Sequence, residues 1–295
     1  VHVTALSDSG LRTERTSSLS TVEPTALVSA SVAPLAGSTV GVGMPVLGLL
    51  DEEVADDRRA AVEERLDVST RPAAVQGSWR WVSGRRVDRR PREYWPAGTA
   101  VHVDVDLAGV EVAPGVWGKA DRDIDFQVGS AVVSTVDVDA HTLTVREDGQ
   151  VVRTIPVTTG KGGNGGRYLT RGGVKVIMSR EAERRMDAET TGVSEDDPEY
   201  YALDVKYAMR LTNSGEFLHA APWSAASHGS ANVSHGCTGM STEDARWLFE
   251  HSTVGDVVEF VGSEGGMEPG NGYTTWSLPY EEWKAGSALP AAQPA

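Results

Sequence analysis

From about residue 25 to residue 126 the apolar positions fall in short runs separated by Pro and Gly: ALVSASVAP, TVGVGMPVLGLL, SWRWVSGRRVDRRP, TAVHVDVDLAGVEV and DIDFQVG. In TAVHVDVDL the alternation is strict, with Val101, Val103, Val105 and Leu107 on one face and His102, Asp104 and Asp106 on the other. Successive side chains of a strand point to opposite faces, so this segment predicts a half-buried strand. Repeated short strands over some hundred residues predict a small β-sandwich of immunoglobulin-like size, here without the paired cysteines of antibody domains. One helical patch, Glu52 to Leu66, interrupts them. Residues 1–24 carry Ser, Thr and charge with little to bury, and read as a flexible tether without a fold of its own.

A second β-rich unit spans 127–262. It opens with AVVSTVDVDAHTLTVRE, the turn Asp148-Gly149 and QVVRTIPVTTG, which predict two strands joined by a tight turn. After the loop GKGGNGGRYLTRGG come a strand at Val174 to Met178, an acidic segment through Tyr201 and the strand EFLHA. Ser241 followed three residues on by Asp244 is a capping-box pattern and predicts a short helix over STEDARWLFEHS, with GDVVEFVG as a closing strand. The tail, 263–295, holds Tyr273, Trp276, Tyr280 and Trp283, side chains large and apolar enough to predict docking on a domain. The glycine loop at 160–166 lacks the lysine and Ser/Thr of a phosphate loop.

Composition narrows the function classes. The chain has 295 residues, room for two domains, with 40% hydrophobic and 23% charged residues, the balance of a soluble globular protein. A net charge of -15 argues against a nucleic-acid partner, which needs a basic face. No apolar stretch is long enough to span a bilayer. The opening VHVTALSDSGLRTERTSSLSTVEPT has neither a methionine nor an apolar run, so an export or anchoring segment is expected to have been removed, and a membrane enters only through it. Cys237 is the single cysteine, which excludes an internal disulfide and any site of several thiolates.

The stretch FLHAAPWSAASHGSANVSHGCTGM places His219, His228 and His235, three of the seven histidines, beside that cysteine. A thiol attacks as thiolate, and a neighbouring imidazole favours that form as an ion pair. His235 shares the loop of Cys237, whereas His219 ends a strand and can reach the sulfur through the fold, which makes His219 the candidate base. Gly236 allows a tight backbone whose amides are free to line an oxyanion pocket. Two other readings stand beside this one: a buried, inert thiol among imidazoles that satisfy loop carbonyls, and a three-histidine zinc site, whose spacings of 9 and 7 match no common compact zinc motif.

The run SHGC at 234–237, with the His219 of HAAPWS sixteen positions before His235, resembles the active-site signature of the YkuD-type L,D-transpeptidases. The likeness extends over roughly 25–285 through TVGVGMPV, the WPAGT of 95–99, RMDAETTGV, GEFLHAAPWS and NVSHGC, and is to actinobacterial members. It implies a mainly β protein: an immunoglobulin-like β-sandwich, 25–126, then a YkuD-type β-sandwich catalytic domain, 127–262, and a docked C-terminal extension. By this resemblance Cys237 is the acylated nucleophile, His219 the base and His235 the second histidine of the pocket. Ala220 offers the backbone carbonyl that orients the base, and Gly236 belongs to the oxyanion region. Tyr201 and Met186 correspond to lid residues and Trp223 to the aromatic beside the cysteine; Asn232, Ser234, Thr238 and Gly239 complete the expected substrate-binding set. The sequence departs from the pattern at Gly239, where relatives usually carry asparagine or arginine, and at His228, where they often carry glutamine.

The chemistry implied is attack on a tetrapeptide stem of peptidoglycan, release of D-alanine, and transfer of the thioester to a side-chain amine of a second stem. The resemblance implies no metal or organic cofactor, inhibition by carbapenem β-lactams, and an extracytoplasmic place in the cell wall or on the outer face of the cytoplasmic membrane. Alternatives are a wall-binding homologue that has lost turnover, given Gly239, and an L,D-carboxypeptidase with water as acceptor.

Overall fold

The computed structural model describes residues 2–18 and 23–290. Two four-stranded sheets form the N-terminal sandwich. One runs in the order Thr39–Val40, Arg122–Val128, Ala100–Val105 and Leu66–Arg71, the other Ala30–Ala33, Val46–Leu50, Arg86–Pro91 and Gly77–Ser83. The alternation read from the sequence holds: Val101, Val103, Val105 and Leu107 are buried in the core between the sheets, while His102 and Asp104 are partly exposed.

Several local expectations are corrected. The helical patch 52–66 shrinks to a 3-10 turn, Asp56–Arg58, and one short helix, Arg59–Glu63, because Leu66 already begins a strand paired with Val105. TVGVGMPVLGLL divides between the two sheets, with Gly41 to Pro45 crossing from one to the other. The lead expected to be without fold holds an antiparallel ribbon, His2–Leu6 with Arg12–Thr16, whose side chains are all exposed. Backbone pairing supplies it, so the lack of residues to bury did not reveal it.

The second β-rich unit begins with three strands rather than two. Val132–Asp137 and Thr142–Glu147 are separated by a turn at which His141 takes φ 55°, and Asp148-Gly149, with φ 48° and 80°, turns the chain into Gln150–Pro156. Positive φ at both central residues matches the twist of a hairpin. Val257–Val261 pairs in parallel with Val132–Asp137, and Gly173–Val176 completes a five-stranded sheet. The second sheet has the order Ser179–Asp187, Ala202–Arg210, Phe217–Ala220 and Thr238–Met240. Its first two strands, a long ribbon, occupy and flank the segment read as merely acidic. Their side chains are mostly polar and partly exposed, so no two-residue apolar period marks them. Helix Thr242–His251 packs Ala245 and Leu248 into the core, and the Ser241 hydroxyl accepts the Asp244 N–H at 3.0 Å as the capping pattern predicted.

The tail docks chiefly on the immunoglobulin-like unit. Trp283 is buried and donates its indole N–H to Ser78 O at 2.9 Å; Trp276 does the same to Gly43 O at 2.8 Å. The Arg90 guanidinium lies 4.6 Å from the Trp276 ring centre and 5.5 Å from those of Tyr280 and Trp283, and donates to Leu278 O at 2.8 Å. Trp276 also meets Tyr94 edge-on, and Tyr94 donates to Glu259 of the catalytic sheet at 2.9 Å, so the tail and the inter-domain seam share residues. Among the described residues no helix is long and apolar enough to cross a membrane.

At that seam Gly41 N–H donates to Val254 O and Gly43 N–H to Gly255 O, both at 2.9 Å. A Cβ at Gly41 would lie 2.2 Å from Asp256 N, so only glycine permits this approach. The Asp256 side chain is buried there, and its Oδ1 has no partner among the described residues. Burial pushes the carboxyl up to about 7, against the Thr253 N–H and Arg180, which favour the charged form. The folded protein thus binds the proton more tightly than the unfolded chain, whose carboxyl titrates near 3.8. The stability this adds is complete below that value and lost as pH rises through about 7. Asp256→Asn is expected to stabilise the protein by on the order of 3 kcal/mol at pH 8 and by nearly nothing at pH 4. Urea unfolding at the two pH values checks this; an equal effect at both would show that ionisation is not the cause.

Candidate active site

Strands Phe217–Ala220 and Thr238–Met240 run parallel, pairing Leu218 with Thr238 and His219 with Gly239. Leu218, Ala220 and Met240 anchor this pair in the core. His219 therefore sits on a fixed strand, and Cys237 lies one residue before the strand beside it. Both line one cavity of about 270 Å³ with Met186, Tyr201, Trp223, Ser234, His235 and Gly239. A second cavity, of about 460 Å³, reaches Cys237 from the other side past Arg167, Arg171, Ser214 and Gly236; Tyr201 and His235 border both.

The His219 ring is buried, and its Nδ1–H donates to Ala220 O at 2.8 Å, which leaves the lone pair on Nε2. Trp223, itself exposed, stacks on the ring with centroids 5.9 Å apart and planes at 25°. Burial lowers the His219 pKa; the Ala220 carbonyl opposes this and the nearby His228 adds to it. His219 is therefore a neutral imidazole at neutral pH.

The sulfur is held differently from the expected ion pair. Sγ–H points to Gly215 O at 3.5 Å, and the Phe217 backbone amide lies near enough to favour a charge on Sγ. Burial pushes the Cys237 thiol up to about 12; the Phe217 amide and Lys175 favour the thiolate, and Glu216 disfavours it. His219 is buried and Cys237 partly buried where the two cavities meet; the loss of water around them favours the neutral pair, a thiol beside a neutral imidazole.

The loop before the cysteine is tightly tied. Gly236, at φ 129°, presents its carbonyl to the Thr170 hydroxyl at 2.8 Å and its N–H to Ser234 Oγ at 3.1 Å, while Ser234 donates to Cys237 O at 2.6 Å. The amide expected to be free at Gly236 is therefore engaged. The Cys237 N–H has no acceptor among the described residues.

Asn232 is corrected too: its amide accepts from Thr159 N–H and Oγ1 and from His141 and donates to Val138 O, holding the loop rather than facing the cavity. Thr238 is buried behind the sheet and does not line the cavity. Gly239 does line it, with its N–H and C=O both bonded to Thr158; a Cβ there would lie 2.8 Å from Ala221 Cβ and 3.2 Å from Thr158 Cγ2. The departure from asparagine or arginine is thus matched by close packing of the neighbours.

His235 donates to Glu199 Oε2 at 2.7 Å and lies between the rings of Tyr168 and Tyr201, with centroids 4.8 and 5.1 Å away. Lys161 reaches the same carboxylate at 2.5 Å, and it and His235 hold the Glu199 carboxyl below the usual range. His228 meets Ser224 at 3.3 Å, so the three imidazoles have separate partners, and among the described residues no group of His, Cys, Asp and Glu is placed to hold a metal ion. Sequence reasoning missed Glu199, Glu216, Lys175 and Thr170. Glu199 stood in a segment read only as acidic, and the other three carry no pattern until the strands are paired.

Comparison with known proteins shows the family. Residues 131–260 match the family model of the L,D-transpeptidase catalytic domain, and residues 1–111 that of a bacterial Ig domain. Over 289 residues, 98% of this chain and 69% of the relative, the sequence is 37% identical to L,D-transpeptidase 2 of Mycobacterium tuberculosis. The chain belongs to the L,D-transpeptidase family. It is also 39% identical over 233 residues to L,D-transpeptidase 1 of that organism, covering 79% of this chain and 84% of the relative. Among solved structures, an L,D-transpeptidase in complex with imipenem is 38% identical with a TM-score of 0.67, over 79% of this chain and 98% of that one. An L,D-transpeptidase from Mycobacterium smegmatis is 34% identical with a TM-score of 0.63, over the same shares. This L,D-transpeptidase has the family's two-unit, mainly β organisation, the Ig-like domain preceding the YkuD-type one.

Proposed function

We propose that Cys237 is the sulfur that carries the acyl group in this L,D-transpeptidase and that His219 is its base. The observation that carries the assignment is that the chain's single cysteine and a neutral imidazole, oriented by the Ala220 carbonyl, border one cavity. The family chemistry is cysteine-nucleophile acyl transfer between peptidoglycan stem peptides, open to acylation by carbapenems and performed outside the cytoplasm in the cell wall.

A thiol that titrates high next to an imidazole that titrates low does not ionise before substrate arrives. Proton transfer therefore accompanies attack: Sγ–H turns from Gly215 O to His219 Nε2 as sulfur bonds to the carbonyl carbon preceding the terminal D-alanine. The Cys237 N–H is the amide left for the carbonyl oxygen as it gains charge. The imidazolium returns its proton to the departing nitrogen, the C–N bond breaks and D-alanine leaves a thioester. A side-chain amine of a second stem then attacks the thioester and gives its proton to His219; the C–S bond breaks as the cross-linking amide forms, and the imidazolium returns the proton to the sulfur, restoring the thiol. Two cavities meeting at the sulfur give donor and acceptor separate approaches, and Tyr201 and Met186 wall the first of them.

Intact-mass analysis of the protein with a tetrapeptide stem and a stem amine tests this. The expected result is a transient acyl-enzyme lacking D-alanine, followed by a cross-linked dimer. Hydrolysed tripeptide alone would make water the acceptor, and stem binding with no mass change would make the protein a binding homologue.

A further inference from the structure

Behind the sulfur the fold buries an ion pair that none of the acyl-transfer steps uses. Lys175, on strand Gly173–Val176, is shielded from solvent, with Nζ 2.6 Å from Glu216 Oε2 and 3.8 Å from the centre of the Phe260 ring. Burial weakens the hold of Lys175 on its proton, and the Glu216 carboxylate opposes that. As a device for stability such a pair is poor, since desolvating two charges cancels most of their attraction and an apolar pair of equal volume does as well or better.

Its place in the chain suggests another use. Glu216 stands between Gly215, whose carbonyl accepts from Sγ, and Phe217, whose backbone amide favours the thiolate. Its Oε2 is taken by Lys175, and its Oε1 by the Arg171 backbone N–H at 3.0 Å and guanidinium at 3.4 Å. Arg171 follows Thr170, whose hydroxyl holds the Gly236 carbonyl. One carboxylate thus ties together the backbone segments on both sides of the sulfur.

We propose that Lys175 and Glu216 are positioning residues for acyl transfer, fixing the Gly215–Phe217 cradle and setting the balance of charge at Sγ. The proposal rests on Cys237 being the nucleophile. Around the sulfur the ionisable groups are Lys175, Glu216, Arg167, Tyr168, Arg171, Tyr201, His219 and His235. Of these, the Lys175 ammonium favours the thiolate and the Glu216 carboxylate opposes it.

Because Cys237 is the only cysteine, its alkylation by iodoacetamide reports this thiol whether or not the enzyme turns over. At pH 8, Lys175→Met is expected to slow alkylation ~10-fold and Glu216→Gln to accelerate it by up to ~10-fold, about one unit of thiol pKa in opposite directions. The double variant is expected to fall between the two single ones. Damage to packing alone would move both single variants the same way and add in the double, so anything other than opposite changes overturns the proposal. Circular dichroism confirms folding. If Lys175→Met does not fold, the comparison of Glu216→Gln with the double variant decides, the single variant being expected to alkylate faster. Failure of the nucleophile assignment has a separate signature, an acyl adduct that survives Cys237→Ser.

Discussion

Cys237→Ser is expected to leave the protein folded and to abolish its acylation. The side chains are nearly isosteric, but a hydroxyl holds its proton far more tightly than a thiol, and the His219 here is a weakened base. The expected loss in acylation rate is at least ~10^3-fold and extends toward the ~10^6-fold seen when a hydrolase loses its nucleophile. Intact mass after incubation with a carbapenem reads it directly: one adduct on the wild type, none on the variant. An adduct of unchanged yield on Cys237→Ser would move the nucleophile elsewhere and remove the basis of the mechanism.

The second large effect is expected at His219. His219→Gln keeps a polar side chain of similar reach but removes the nitrogen that takes the proton, and acylation should fall ~10^2 to 10^4-fold near neutral pH. The pH dependence distinguishes loss of a base from loss of shape. In the wild type the reactive form is thiol with neutral imidazole, which exists from the depressed pKa of His219 up to that of Cys237 at about 12, so acylation should be flat across neutral pH. Without the imidazole only pre-formed thiolate reacts. Its population grows tenfold per pH unit below the thiol pKa, so the residual rate of the variant should climb with that slope. Stopped-flow acylation from pH 6 to 10 checks both curves. A variant rate that stays flat would show that His219 does not take the proton.

Much of the fold was legible because half-buried strands write their period into the chain. The strand at Ala100–Val105, the turn at Asp148-Gly149, the capped helix after the cysteine and the closing strand Val257–Val261 all carried local signals that the core then used. The ribbon Ser179–Asp187 with Ala202–Arg210 did not, since its polar, partly exposed side chains leave no apolar stripe. The helical patch before Leu66 was overread because a helical composition does not say where a neighbouring strand claims the chain.

The sequence by itself determined which atoms could do chemistry: a lone thiol has no partner for a disulfide within the chain, and the spaced His219 and SHGC motifs mark the candidate pair. Tertiary structure alone decided the state of those atoms. Burial of the imidazole and partial burial of the thiol favour their neutral forms, the Ala220 carbonyl engages Nδ1 and leaves the lone pair on Nε2, and Ser234 withdraws the Gly236 amide from use. Solvation and hydrogen-bond direction depend on what surrounds a group in space, and the neighbours that matter most, Lys175 and Glu216, are 62 and 21 positions from the sulfur along the chain.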